Sequence, residues 1–196
     1  MRHTPKPIVD MAHAVPELAS FARETVRLHP RQGESANDAS KIGGDFIWPA
    51  KEPWPRCEEH NCPYIPILQL RRDDVPELEF YQETDLFQIL WCPNDHKTVE
   101  PLYAPSSKVF WRRRSDIHEI LASMPKVDAD HRGYVPAPCV LHPEQVIEYP
   151  SAFALTEDFP HLWEKIEAAD LLKQAIETTK ESRFGDLAPS INTGSV

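Results

Sequence analysis

The sequence predicts an α+β fold, β-rich, in which short antiparallel strands are joined by proline-rich loops. It also predicts a zinc-stapled hairpin and one long C-terminal helix. Three observations carry this. Twenty prolines stand against six glycines in 196 residues, roughly twice the ~5% usual for proline. Proline fixes φ and lacks an N–H, so regular elements must be short enough to fit between prolines. Several runs of four to eight residues alternate or are continuously apolar, as half-buried and buried strands do. One stretch after residue 157 carries apolar residues at helical spacing.

Residues 1–23 read as an N-terminal lead, with Met1 to Pro7 expected to be disordered. Val15 to Phe21 is expected to be a short helix, with Pro16 early and Glu17 in its first turn. Residues 24–156 read as the β-rich domain. Glu24 to His29 alternates, placing Val26 and Leu28 on one face, and Pro30 closes it. Arg31 to Ser40 is polar turn material. Gly43-Gly44 supplies backbone conformations closed to other residues, which suits a tight turn before an aromatic strand. The lysine and hydroxyl of a phosphate loop are absent. Phe46, Trp48 and Trp54 are expected to wall the core.

Tyr64 to Leu70 is a strong strand containing Gln69, a polar residue in an apolar setting that is expected to satisfy local backbone. Asp85 to Cys92 is the next strand, turning through Pro93-Asn94-Asp95 to His96. Val109 to Arg112 is another, and Ile117 to Met124 a short helix. Tyr134 to Pro143 is held extended by its prolines, and Gln145 to Pro150 alternates as a strand. Residues 157–182 form the helix, with Leu162, Ile166, Ala169, Leu172 and Ile176 on its apolar stripe; 183–196 read as a flexible tail.

The formal net charge is −10. A nucleic-acid binder needs a basic face, and Arg112-Arg113-Arg114 with Lys108 is a short one. The expectation is therefore no nucleic acid and no membrane, with another protein as partner. No stretch approaches the ~20 apolar residues of a bilayer span, and the first residues lack the apolar core of a signal peptide. The expected compartment is cytoplasmic, where four cysteines serve as thiols or metal ligands rather than disulfides.

The cysteines carry the chemistry. Structural zinc takes four tetrahedral ligands, commonly in two pairs two to four residues apart. Cys57-x-x-His60 is one pair, with Cys57-x4-Cys62 as its alternative, and Cys92-x3-His96 is the second. The hairpin between them, Ile65 to Trp91, can bring the pairs side by side. Five candidates compete for four places, so His60 or Cys62 is a spectator. A third pair, Cys139-x-x-His142, lacks a partner pair and reads as structural. Nothing resembles a nucleophile elbow or an oxyanion turn, so no catalytic residue is assigned.

Ser40-Lys41-Ile42-Gly43-Gly44, Trp48-Pro49, Pro53-Trp54-Pro55-x-Cys57 and Ile67-Leu68-Gln69-Leu70 together resemble the YwqG-like family, a bacterial domain of unknown function. Leu90-Trp91-Cys92-Pro93-x-Asp95-His96 is similar to the second metal half-site of its actinobacterial-type members. Val26 to Pro30, Cys139 to Glu144 and Glu148 to Pro150 look like further landmarks. A looser similarity runs to the programmed cell death two proteins, zinc-bearing chaperones of a ribosomal protein. The resemblance implies zinc and a protein partner. It also places His60 where the family usually has the second cysteine of Cys-x-x-Cys, which favours His60 over Cys62. Longer members carry a second glycine-pair half after the helix, where this chain stops, which reads as a shortened member. Two function classes follow: a zinc-stabilised interaction module (adaptor, chaperone or immunity-type), or a zinc-dependent hydrolase with an open metal position and Glu58, Glu59 or Asp95 as base.

Overall fold

The structure, a computed structural model, describes residue 4 and residues 10–97, 104–127 and 135–168. Among these are eight strands: β1 (Arg23–Arg27), β2 (Arg31–Gln32), β3 (Lys41–Ile42), β4 (Ile65–Arg71), β5 (Leu86–Asp95), β6 (Pro105–Arg112), β7 (Cys139–Val140) and β8 (Glu144–Glu148). With them are three α-helices: α1 (Met11–Ala14), α2 (Ala152–Asp158) and α3 (Pro160–Ala168). The fold is α+β and β-rich, with antiparallel pairing throughout the main sheet. The chain divides into two compact units, Val26–Glu144 and the segments on either side of it.

The larger unit is built on a six-stranded sheet of order β2-β7-β3-β4-β5-β6. One half of it is the meander β4-β5-β6. Ile65 pairs with Trp91 and Gln69 with Gln88, and Phe110 lies opposite Gln88 on the other side. One core gathers Phe46, Trp48, Tyr64, Leu90 and Met124, with Trp54 and Phe110 packed against it. A second gathers Leu70, Val75, Phe80 and Leu141. The aromatic residues therefore wall the core as expected, with Trp48 and Phe46 fully buried.

A polar chain runs through this apolar interior. Gln69 and Gln88 are both 0% exposed. The Gln69 carboxamide oxygen accepts from Ile47 N–H (3.2 Å) and from Gln88 Nε2 (2.8 Å). Its Nε2 donates to the carbonyls of Asn37 and Ala39, each at 2.8 Å. Gln88 Nε2 also donates to the Ile47 carbonyl at 2.7 Å, and its oxygen accepts from Arg112 Nε at 3.2 Å. Arg112 then grips Glu52 through two bonds of 2.6 and 2.7 Å while its guanidinium lies 4.3 Å from the centre of the Trp48 ring. Every buried amide group thus has a partner, as low-dielectric burial requires. The network ties the segment 37–52, which has little regular structure, to the sheet.

Gly43 and Gly44 sit at φ +62° and +68°, the left-handed region that favours glycine. A Cβ on Gly43 would stand 2.7 Å from the Pro136 carbonyl oxygen. The pair is therefore a turn that also permits close backbone approach.

Three local expectations are corrected. Ile117 to Met124 forms no α-helix. Its backbone pairs instead with the segment after Trp48, through Leu121 N–H to the Trp48 carbonyl and Ala50 N–H to that of Glu119, both 2.8 Å. Tertiary pairing overrides a weak propensity. The polar stretch after Pro30 contributes β2, because β7 offers Cys139 and Val140 as pairing partners for Gln32 and Arg31. Strand β5 does not end at Cys92 but continues to Asp95, with a register shift between Trp91 and Asp95 that accommodates Pro93. A missing N–H is tolerated at such an irregularity.

In the smaller unit Asp10 caps α1 by accepting from His13 N–H at 3.0 Å. Pro16–Phe21 forms a 3-10 helix where a short helix was expected. Val15, Leu18, Leu155, Leu162 and Ile166 make its core, with Phe21 edge-on to Phe159 at 4.7 Å. Glu17 and Lys165 form an ion pair. The C-terminal helix begins at Pro160, and its expected continuation past Ala168, like the tail and most of the lead, lies outside the described residues. Helix α2, opened by the Ser151 side chain accepting from Ala154 N–H at 3.2 Å, precedes it.

Candidate metal centre

Cys57, His60, Cys92 and His96 each offer one ligand atom, and these atoms all lie within 4.8 Å of one another. One loop and one strand end make this arrangement. Residues 55–64 fold back on themselves: Arg56 bridges to Pro63, Cys57 N–H donates to the Cys62 carbonyl at 2.8 Å, and Tyr64 N–H donates to that of Pro55 at 3.0 Å. Asn61 closes the turn at φ +49°, a conformation asparagine tolerates better than most residues. Arg56 clasps it from outside by donating to its carbonyl and side chain. The turn aims Cys57 and His60 inward together. The Ile65–Trp91 register then sets Cys92 beside them, and the shifted end of β5 delivers His96.

The contacts within the group are close. His60 Nδ1 lies 3.5 Å from Cys57 Sγ and 3.6 Å from Cys92 Sγ, and His96 Nε2 lies 3.2 Å from Cys57 Sγ. The His60 backbone N–H points at Cys57 Sγ at 3.4 Å. Cys57, Cys92 and His96 are buried; the His60 side chain keeps 27% of its surface, and Glu59 Oε1 stands 3.9 Å from its outer nitrogen, Nε2. Burial pushes the Cys92 thiol up, an effect that donation from Asn94 partly offsets. The Tyr64 hydroxyl is likewise raised by burial and shares a 3.0 Å bond with Ser106 Oγ. This arrangement can hold a metal ion.

Cys62 lies beside the group rather than in it. Its sulfur is 3.6 Å from that of Cys92, and Asn94 Nδ2 donates to both sulfurs, at 3.4 and 3.7 Å. Cys139 and His142 are elsewhere: Cys139 belongs to β7 and donates to the Ala137 carbonyl at 3.3 Å, and His142 N–H bonds the Leu28 carbonyl at 2.8 Å. Burial also raises the Cys139 thiol.

Two polar neighbours of the centre escaped sequence reasoning: Asn94 serves the sulfurs, and Ser106 N–H donates to His96 Nδ1 at 3.2 Å. Glu59, which the sequence offered as a candidate base, faces His60. Asn94 carried a signal in its place two residues after Cys92; Ser106 carried none. The basic cluster is neutralised within the fold: Arg112 pairs with Glu52, Arg113 with Glu83, and Arg114 with Asp85 and Asp73.

No protein-family model matches the chain, and no curated protein matches it. No helix among the described residues is long and apolar enough to cross a membrane.

Proposed function

We propose that the centre is a structural zinc site and that the chain is a cytoplasmic protein-interaction module of YwqG-like kind, acting on another protein as adaptor, chaperone or immunity-type inhibitor. One observation carries the zinc reading. A tetrahedral zinc with bonds of about 2.3 Å to sulfur and 2.0–2.1 Å to nitrogen sets adjacent sulfur and nitrogen ligands about 3.5 Å apart. Three of the four sulfur–nitrogen separations here are 3.2, 3.5 and 3.6 Å. Glu59 Oε1, 3.9 Å from the outer nitrogen of His60, is a charged neighbour of that ring rather than its hydrogen-bond partner. A zinc bound at His96 Nε2 leaves the ring proton on Nδ1, facing the Ser106 N–H, so loading has to lengthen that contact.

Four protein groups fill a tetrahedron, which leaves no open position for a hydrolytic water. The interaction reading draws on the surface instead. β6 ends the sheet among the described residues. Along it Val109 and Trp111 stand on one face with 50% and 38% of their surface exposed, and Trp111 packs edge-on to Phe80 and tilted against Phe87. An edge strand with an aromatic outer face suits strand addition by a partner.

The test joins metal analysis to capture. One zinc per chain and a tetrahedral absorption spectrum from the cobalt-substituted protein are expected. Trp111→Glu should keep the zinc and lose a partner that the wild-type chain captures in its native cell. A cobalt spectrum of higher coordination, together with hydrolytic turnover lost in Glu59→Gln, would replace the interaction reading with the hydrolase.

A further inference from the structure

Cys62 is a fifth metal-competent group, 3.6 Å from a buried sulfur of the centre, and zinc does not need it. We propose that Cys62 and Cys92 form an oxidation site, in which a peroxide converts the pair to a disulfide and so takes one ligand from the metal. The proposal rests on the zinc reading for its consequence, though not for the bond itself.

The geometry assigns the two sulfurs different roles. Cys62 is partly exposed and Cys92 is 0% exposed, so peroxide meets Cys62 first. Its thiolate attacks one peroxide oxygen; an S–O bond forms, the O–O bond breaks, and hydroxide leaves. The Cys92 thiolate then attacks the Cys62 sulfur. An S–S bond forms, the S–O bond breaks, and a second hydroxide leaves. With the two thiol protons taken up, two thiols have lost two electrons and one peroxide has become two waters. The sulfurs must close from 3.6 Å to about 2.05 Å. The Cys62 backbone is held by its carbonyl bond to Cys57 N–H at 2.8 Å, so rotation of the Cys62 side chain supplies the approach. Asn94 Nδ2 donates to both sulfurs, at 3.4 and 3.7 Å, and so bridges the pair. Cys57, His60 and His96 remain, one ligand short of a closed structural site.

The experiment treats zinc-loaded protein with a few equivalents of hydrogen peroxide. Zinc release is followed with a chromophoric chelator, and the product is mapped by mass spectrometry of a non-reducing digest. Expected are a Cys62–Cys92 cross-linked peptide, zinc release in step with it, and rebinding after reduction by dithiothreitol. Cys62→Ser should still bind zinc and release it more slowly by on the order of tenfold, since the remaining sulfurs of the centre, Cys57 and Cys92, are buried. A cross-link between Cys57 and Cys92, or sulfinic acid on Cys62 without any cross-link, overturns the proposal, as does unchanged release from Cys62→Ser. The mapping of the wild-type chain decides alone should that variant fail to fold. A chain that binds no zinc yet yields the Cys62–Cys92 peptide refutes the metal reading and upholds the pair.

Discussion

Replacing Gln69 with leucine tests the buried polar chain, because the volume is nearly conserved and little cavity term enters. What changes is the hydrogen bonding. The buried Ile47 N–H loses its acceptor, and the carbonyls of Asn37 and Ala39 lose their donor. Gln88 Nε2 keeps the Ile47 carbonyl and loses one of two acceptors. An orphaned buried group costs about 1–3 kcal/mol. Taking the Ile47 amide near the middle of that range and the two part-buried carbonyls at its low end gives roughly 3–5 kcal/mol in all. Against a total stability of about 5–15 kcal/mol this is a large fraction. At roughly 4 °C per kcal/mol the midpoint of thermal unfolding falls by on the order of 15 °C. The assay is urea and thermal unfolding of both proteins, with zinc content measured in each. Unchanged zinc content assigns the loss to the amide chain. A loss below about 1 kcal/mol would mean that the backbone of residues 37–47 finds other partners, and the argument that this network holds the segment to the sheet would fail.

Gly43→Ala should destabilise more than Gly44→Ala by equilibrium unfolding. Both pay the left-handed backbone cost of about 1–2 kcal/mol, but only at Gly43 would a Cβ meet a carbonyl oxygen at 2.7 Å; at Gly44 the nearest atom is 3.6 Å away. Lys41 is 3% exposed, with its ammonium on the Asp45 carbonyl at 2.9 Å, and burial holds its pKa below the ordinary lysine value of 10.5. The unfolded chain therefore binds the extra proton, so wild-type stability should rise with pH through the alkaline range up to 10.5. Lys41→Met should lose that slope, and a parallel pH profile would refute it. Cys92→Ser should lose bound metal and, with it, coupled folding free energy of roughly 10 kcal/mol, while Cys139→Ser keeps one metal per chain by plasma mass spectrometry.

Much of the fold was legible wherever a local pattern and a tertiary demand agreed. The alternation and apolar runs around Ile65–Arg71 and Leu86–Cys92 marked strands that the sheet pairs, and the loop between them set the two half-sites side by side. Gln69 could be read as a backbone satisfier, but its dependence on Gln88 and Arg112 could not, because that partnership is a matter of register across three strands. Residues 117–124 were misread because a short apolar run carries the same signature as helix or bridge, and only the exposed groups of residues 48–50 decide between them. The two-residue strands β2, β3 and β7 are too short to have a period at all. At the centre, ligand spacing named five candidates, four of which the structure gathers, whereas Ser106 reaches His96 from the neighbouring strand with no mark in sequence.

The strand order carries a consequence for synthesis on the ribosome. β4, β5 and β6 follow one another closely and pair in sequence, so the meander and the metal centre have all their parts once residue 112 has emerged. The far edge of the sheet does not. β3 pairs with β4, but β2 has no partner strand until Cys139 and Val140 arrive to join it to β3. Contacts of such long sequence separation form late. The chain is thus expected to spend part of its synthesis with β3 to β6 settled and β2 waiting on two residues. A ribosome-bound chain arrested before residue 139 should protect β3 and the meander from proteolysis and leave residues 31–36 open to it.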